Sequence, residues 1–147
     1  MSLRRSAVFS PRRVSQQAET RIYAPVFERL LHIHGLDWWH NTIAQRSQPG
    51  YPDYTIFGDG WHAWVELKAV SPLTGRRGKV SDAQRRYQAS VEAGGGEWRS
   101  FVLPDDWPEV DDWLCAKTGR EIRGWMSDLN YLIWARLLDG AAAYIVE

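Results

Sequence analysis

The sequence predicts an α/β fold, a single domain in which helices flank a small mixed β-sheet. The chain has 147 residues, of which 44% are hydrophobic and 24% charged, as expected for one soluble domain with a substantial core. Runs with the periodicity of amphipathic helices alternate with short β-prone runs. An Asp-Gly pair at 59–60 separates two β-prone runs and indicates a tight hairpin. The order of helix, strand, hairpin, helix, strand and helices is typical of this fold class.

The N-terminal third is predicted to hold an arm, a helix and a short strand. Residues 1–15 are rich in Ser and Arg without periodicity, which indicates a flexible basic arm. A helix is expected from about residue 16 to 34, because apolar side chains recur along one stripe, and Pro25 should kink or restart it. A strand at 38–43 and a polar loop at 45–50 follow.

The hairpin is predicted to pair residues 53–57 with residues 61–68. With a two-residue loop at 59–60, Thr55 faces Trp64. One face of the hairpin is apolar and is expected to be buried. Its residues are Ile56, Ala63, Val65 and Leu67.

The same register places Asp53 opposite Glu66. Directly opposed side chains lie about 4.5–5.5 Å apart at Cβ, where like charges repel. A divalent cation between the two carboxylates would remove that conflict. Lys68 lies two residues beyond Glu66, so it projects from the same face about 6–7 Å along the strand. The spacing therefore predicts a metal site with a lysine beside it.

A second helix and strand are predicted after a long basic loop at 70–80. Residues 81–84 have the form of a capping box, in which Ser81 and Gln84 satisfy each other's backbone donors. The helix is expected to stop at the three glycines 94–96. Residues 98–103 have the pattern of a further strand, ended by a proline.

The C-terminal part is predicted to be mostly helical. Asp106 is expected to cap a short helix with Pro108 in its first turn. An aromatic-rich helix at 122–138 and an edge strand at 141–146 should follow. We therefore divide the chain into an arm (1–15), a domain (16–116) and an extension (117–147) that packs on the domain or on a partner.

The charges balance overall but are separated along the chain. Eighteen Lys and Arg face eighteen Asp and Glu, which argues against a generic polyanion binder. The arm holds four arginines and no acid, whereas residues 105–112 are strongly acidic. A second basic group is a candidate for contacts to nucleic-acid phosphates. Its residues are Arg76, Arg77, Lys79, Arg85 and Arg86.

Other classes of protein are disfavoured. The apolar runs are too short to span a bilayer, and no signal peptide is evident. Cys115 is the only cysteine, which excludes a disulfide framework and, on the sequence alone, a cysteine-based zinc site. An intracellular, reducing setting is the default expectation.

Three motifs together resemble a known nuclease superfamily. They are Gly50-Tyr51-Pro52-Asp53, Glu66-Leu67-Lys68, and the stretch from Gly78 to Gln84. This combination is similar to the PD-(D/E)xK nucleases, and more narrowly to the small stand-alone VRR-NUC members of phages and bacteria. The likeness covers roughly residues 18 to 114. It implies a restriction-endonuclease-like fold and metal-dependent hydrolysis of DNA, and small members of this kind tend to dimerise.

The resemblance also implies roles for individual residues. Asp53 and Glu66 match the metal-binding acids, and Lys68 matches the catalytic lysine. The family usually adds an acid from the first helix. Glu19 lies on the apolar stripe of that helix and is favoured over Glu28, which points elsewhere.

Two further residues are assigned to the site. The backbone carbonyl of Leu67 is a candidate additional ligand. Gln84 is expected to reach a phosphate or the site water. Oxygen ligands of this kind suit Mg²⁺ or Mn²⁺.

The expected activity is a DNA endonuclease selective for branched or otherwise structured DNA, because no helix-turn-helix or zinc-finger pattern indicates direct base readout. A restriction-type or end-processing nuclease is one alternative. A non-catalytic DNA-binding or assembly component of a phage particle that retains the fold is another. Plainer structural roles also stay open, with Asp53 as a turn residue, Gln84 as a cap only, and the basic loop as a solvated connection.

Overall fold

Seven helices and strands follow one another in the described part of the computed structural model, which comprises residues 22–41, 49–71 and 73–121. Three helices and a four-stranded mixed sheet confirm the predicted α/β class. In chain order the elements are α1 (Ala24–Ile33), β1 (Asp37–His40), β2 (Tyr54–Gly58), β3 (Trp61–Ala69), α2 (Asp82–Ala93), β4 (Glu97–Leu103) and α3 (Trp107–Thr118).

The strands lie in the order β1-β2-β3-β4. The first three are antiparallel neighbours, and β4 runs parallel to β3 because α2 carries the chain back between them. The hairpin has the two-residue loop at 59–60, with Gly60 at a φ of +78°. Thr55 pairs with Trp64, so the predicted register is confirmed.

One face of the sheet forms the core with α1 and α3. The four hairpin residues predicted to be buried there are each at most 2% exposed. Aliphatic and aromatic side chains together fill the space between the helices and the sheet. Phe27 packs on Tyr54 at 5.2 Å between ring centroids. The largest buried side chains include Trp107, Tyr23, Tyr54 and Phe27.

Helix α2 covers the opposite face only in part. None of its residues is fully buried. A Cβ on Gly96 would lie 2.8 Å from Val91 and 2.9 Å from Trp64, so the turn after the helix packs closely on β3. This thin cover leaves the polar residues of the face close to solvent, and the candidate site lies there.

Some element boundaries differ from the prediction. Pro25 lies in the first turn of α1, where its missing N–H costs no helical hydrogen bond. Strand β1 begins at Asp37, one residue early. Asp106 precedes α3 but makes no side-chain cap, because its Oδ2 accepts a hydrogen bond from the Val102 N–H at 2.6 Å.

Several predictions concern residues outside the described ranges. These are the arm at 1–15, the start of the first helix with Glu19, the end of the first strand, most of the loop at 45–50, the helix at 122–138 and the strand at 141–146. In the described ranges, no helix combines the length and apolar character needed to cross a membrane.

Candidate functional site

Asp53 and Glu66 lie beside each other at the start of β2 and the middle of β3. Glu66 belongs to β3 and is 4% exposed. Asp53 lies one residue before β2, so the strand pairing ends at Tyr54 and Val65, one step short of the predicted pair. The Asp53 side chain extends the contact instead, because its Oδ2 accepts a hydrogen bond from the Leu67 N–H at 2.8 Å.

The two carboxyl groups strongly affect each other. Burial, followed by the charge of Asp53, raises the pKa of Glu66 to about 8, and the Lys68 ammonium only partly offsets this. Burial also raises the pKa of Asp53, while the Leu67 N–H and Lys68 act in the opposite direction. Without another cation, the pair therefore retains a proton above the pH at which isolated carboxyl groups lose theirs.

Lys68 and Gln84 both contact the same oxygen of Glu66. The Lys68 Nζ lies 3.5 Å from Glu66 Oε1, and Gln84 Nε2 donates to that oxygen at 2.8 Å. Gln84 Oε1 accepts from the Ser81 N–H at 2.8 Å, and Ser81 Oγ accepts from the Gln84 N–H at 3.2 Å. The predicted capping box is confirmed, and the same glutamine fixes the Glu66 side chain.

The second oxygen of Glu66 has no fixed partner. Oε2 is buried without a hydrogen bond to any described residue. A buried oxygen of this kind is costly unless something binds it. A buried and a half-buried carboxyl group that lie together offer several oxygen atoms to a hard divalent cation such as Mg²⁺, which prefers oxygen ligands. Leu67 gives its N–H to Asp53, and nothing tests the proposed role of its carbonyl.

A close contact between a turn and a helix brings Asp53 near Gln84. Gly50 has a φ of +93°, and a Cβ there would lie 2.3 Å from the Ala83 carbonyl oxygen. Only glycine tolerates both conditions. The segment that leads into Asp53 thereby packs on the first turn of α2, and Tyr51 adds an edge contact to Tyr87 at 5.2 Å.

The acid expected from the first helix is not settled by the structure. Glu19 lies outside the described residues and stays a prediction. Glu28 accepts hydrogen bonds from Trp38 Nε1 and Tyr54 Oη, each at 3.2 Å. Both of its oxygens are therefore used at the edge of the core.

The predicted phosphate contacts divide into two groups. Arg77 Nη1 lies 2.6 Å from Asp105 Oδ2, and Arg77 Nη2 lies 3.5 Å from Asp106 Oδ1, so the Arg77 charge is already paired. The other four are Arg76, Lys79, Arg85 and Arg86. None of these four residues forms an ion pair with an acidic residue in the described part of the chain.

The sequence interpretation missed three neighbours of the carboxyl pair. Asn41 Nδ2 donates to the Pro52 carbonyl at 2.6 Å, and the charge of His40 lowers the pKa of Asp53. Ser100 pairs with Glu66 across β3 and β4, and its Oγ is buried without a hydrogen bond to described residues. These residues lie near the pair because β1 and β4 flank the hairpin, and the order of the strands could not be read from the sequence.

A group of potential metal-binding side chains that includes Cys115 lies elsewhere in the fold, where the sequence predicted no cysteine-based zinc site. A ring nitrogen of His34, a carboxylate oxygen of Asp111 and the Cys115 sulfur all lie within 4.8 Å of one another. The three residues come from two elements, so spacing along the chain gave no signal for this group.

No protein-family model, curated protein or solved structure matches the chain. The similarity to the VRR-NUC nucleases therefore stays an expectation from the three motifs, and the functional proposal rests on the residues themselves.

Proposed function

We propose that this protein hydrolyses DNA phosphodiester bonds with the aid of Mg²⁺ or Mn²⁺. One observation carries the proposal: the half-buried carboxyl group of Asp53 lies beside the buried carboxyl group of Glu66, and a lysine and a glutamine both contact Glu66 Oε1. A fold selected only for stability has little reason to place Asp53 against Glu66, because burying like charges together is costly. Binding of a cation offsets that cost.

Asp53 and Glu66 would hold the ion, with Glu19 as a further proposed ligand. When bound, a divalent cation lowers the pKa of water and stabilises negative charge that develops on phosphate oxygens. Hydrogen bonds from Leu67 to Asp53 and from Gln84 to Glu66 hold the two carboxylates in fixed orientations. Such pre-organisation reduces the reorganisation needed during reaction.

Among the described residues, Lys68 is the one whose positive charge forms an ion pair with Glu66. Its ammonium is 3.5 Å from Glu66 Oε1, and its side chain is 17% exposed, so it can also meet a phosphate. There it would orient the attacking water or stabilise the charge of the transition state. We do not assign it as the general base, because its ammonium form is the one that stabilises the phosphate.

Aromatic side chains on the same sheet face favour DNA with unpaired bases. Trp39, Thr55 and Trp64 lie side by side across three strands, two residues along from the carboxyl pair. Trp39 is 68% exposed and Phe57 41% exposed, which is unusual for such large rings. Stacking of a base on an aromatic ring contributes about 1–3 kcal/mol. Single-stranded flaps present such bases, and pairs at the crossover of a junction open more readily than those of intact duplex.

The test compares cleavage of a four-way junction, a flap, duplex and single-stranded DNA by the purified full chain. Each is incubated with Mg²⁺, Mn²⁺ or EDTA. We expect metal-dependent cleavage that prefers the branched substrates. It should fall by roughly 10²-fold or more in Asp53→Ala and Lys68→Ala. Asp112→Ala, which removes an exposed acid on α3, is the matched control and should cleave normally.

Cleavage that persists in EDTA or in Asp53→Ala would reject this site. DNA binding without cleavage under any metal would favour the non-catalytic role in a phage particle.

A further inference from the structure

A second cluster of metal-binding side chains lies on the other face of the sheet. His34 directly follows α1, and Asp111 and Cys115 lie one turn apart on α3. One ring nitrogen, one carboxylate oxygen and the sulfur all lie within 4.8 Å of one another, and Cys115 Sγ is 3.5 Å from Asp111 Oδ1. Helices α1 and α3 pack on the core face, whereas Glu66 faces α2, so the cluster is separate from the proposed nuclease site.

The hydrogen bonds of Thr118 determine which ring nitrogen of His34 has a lone pair. Thr118 Oγ1 donates its single hydrogen to the Leu114 carbonyl at 2.9 Å. It lies 2.8 Å from His34 Nδ1 and must therefore accept from it, which places the proton of the neutral ring on Nδ1. The lone pair is then on Nε2.

That lone pair is buried and has no partner in the described ranges. His34 is 3% exposed, and its Nε2 makes no hydrogen bond to any described residue. A buried polar atom left in this state is costly and calls for a reason. A histidine whose Nδ1–H is fixed by a hydrogen bond and whose Nε2 is unprotonated is in the form that binds a metal ion.

We propose that His34, Asp111 and Cys115 bind a divalent transition-metal ion, with Zn²⁺ as the best match. Nitrogen, sulfur and carboxylate oxygen are the ligand types that Zn²⁺ takes, whereas Mg²⁺ requires oxygen alone. Tetrahedral zinc sites have ligand atoms about 3.3–3.8 Å apart, so small side-chain rotations would close the present spacing. Cys115 releases its thiol proton to solvent when it binds. The fourth position is left to water or an outside ligand.

The site would join the end of α1 to α3. Its ligands are separated by most of the described chain, so an ion there would crosslink two helix ends. Apolar packing, the contact of His34 with Thr118 and a hydrogen bond from Arg120 Nη1 to the Ile33 carbonyl already connect these ends. An ion that binds only the folded state stabilises it in proportion to the logarithm of its concentration. The expected role is structural, independent of the Mg²⁺-type site.

Cobalt is the probe for this site because a thiolate bound to Co²⁺ gives a charge-transfer band in the near ultraviolet. The full chain, purified without metal and kept reduced, is titrated with Co²⁺. We expect one equivalent to give the band, and Zn²⁺ to abolish it. Zn²⁺ should also raise the melting temperature, and Cys115→Ser should abolish both effects.

Two further variants test the other ligands and the positioning role of Thr118. Asp111→Asn should weaken Co²⁺ binding at least about 10-fold. Thr118→Val should weaken it about 10–100-fold, and Thr118→Ser should restore it.

Two controls show whether the effect is specific. His32→Gln changes an exposed histidine two residues before His34 and should leave the band unchanged. Asp53→Ala should also retain it, so failure of the nuclease proposal does not affect this test. Absence of the band in the wild-type chain, or its persistence in Cys115→Ser, would overturn the proposal. Circular dichroism of Cys115→Ser confirms that the half-buried position tolerates the change.

Discussion

At the scale of single residues, Glu66 is notable because, among the described residues, no other Asp, Glu, Lys or Arg is buried. It is 4% exposed, receives a hydrogen bond from Gln84, and lies 3.5 Å from the Lys68 ammonium. Asp53 adds a second carboxyl group to the same space, and burial of both raises their pKa values. The folded protein therefore keeps a proton on the pair that the unfolded chain releases.

Stability without divalent cations should decrease as the pH rises. The pKa of Glu66 is 4.5 ordinarily and about 8 in the folded chain. Between these values the folded state binds more protons than the unfolded state, so the free energy of unfolding falls with pH and levels off above 8.

Burial is the larger cause of this raised pKa, and Asp53→Asn removes the second cause, the neighbouring negative charge, while its amide oxygen can still accept from the Leu67 N–H. At pH 8 in EDTA we expect the variant to be about 1–2 kcal/mol more stable than wild type, and similar to it at pH 5.

Urea denaturation at both pH values measures the difference. Asp37→Asn, an exposed acid on β1, serves as the control and should not change the pH dependence. Added Mg²⁺ should stabilise wild type and leave Asp53→Asn largely unaffected. Equal pH dependence in wild type and Asp53→Asn would show that the two carboxyl groups do not interact.

At the scale of elements, the start of α2 is linked to the middle of β3 through one side chain. Gln84 closes the capping box with its oxygen and holds Glu66 with its nitrogen. Gly50 adds backbone contact between the segment before β2 and the same helical turn. A feature that begins a helix thus also organises the site.

Ser81→Ala and Gln84→Ala separate these two roles. Each removes half of the capping box and should lower the free energy of unfolding by about 1 kcal/mol. Only Gln84→Ala also releases Glu66, so only this variant should lose metal-dependent cleavage. Chemical denaturation and the junction-cleavage assay measure the two effects, and Ser81→Ala is the matched control. Equal cleavage by both variants would show that Gln84 acts only as a helix cap.

At the scale of the whole molecule, the balanced net charge conceals an uneven surface. The basic residues of the loop before α2 and of its first turns are exposed, whereas Arg77 is already bound to acids at the start of α3. Half-exposed ion pairs contribute little to stability. The main effect of the Arg77–Asp105 pair is therefore to make the Arg77 charge less available to a phosphate.

DNA affinity should depend on salt through the exposed members of the basic group. Arg76→Gln and Arg85→Gln should each lower the slope of log K against log salt by about 1, since each removes one phosphate contact. Arg77→Gln should change it less. Fluorescence anisotropy with junction DNA over a salt series provides the slopes, and Arg29→Gln, an exposed residue on α1, is the control. An equal change for all four variants would argue against a defined DNA surface.

The elements that were predicted well are those whose cause lies within a few residues. The Asp59-Gly60 turn and the alternation of apolar residues specify the hairpin register, and Ser81 with Gln84 specifies where α2 begins. The approach of Asp53 to Glu66 follows from the same register, whereas the role of the two acids stays a prediction. A prediction fails where another group competes for the same side chain. The Asp106 carboxylate accepts a hydrogen bond from the Val102 N–H and therefore does not cap α3.

The sequence by itself therefore determined the hairpin, the capping box of α2 and the approach of the two acids, since turns, alternation and that cap act over short separations. Only the tertiary structure decided that Gln84 holds Glu66 across 18 residues and that His34 meets Thr118 across 84. Those contacts depend on which faces of the helices and the sheet pack together. Packing is a property of all the elements at once, so no local pattern encodes it.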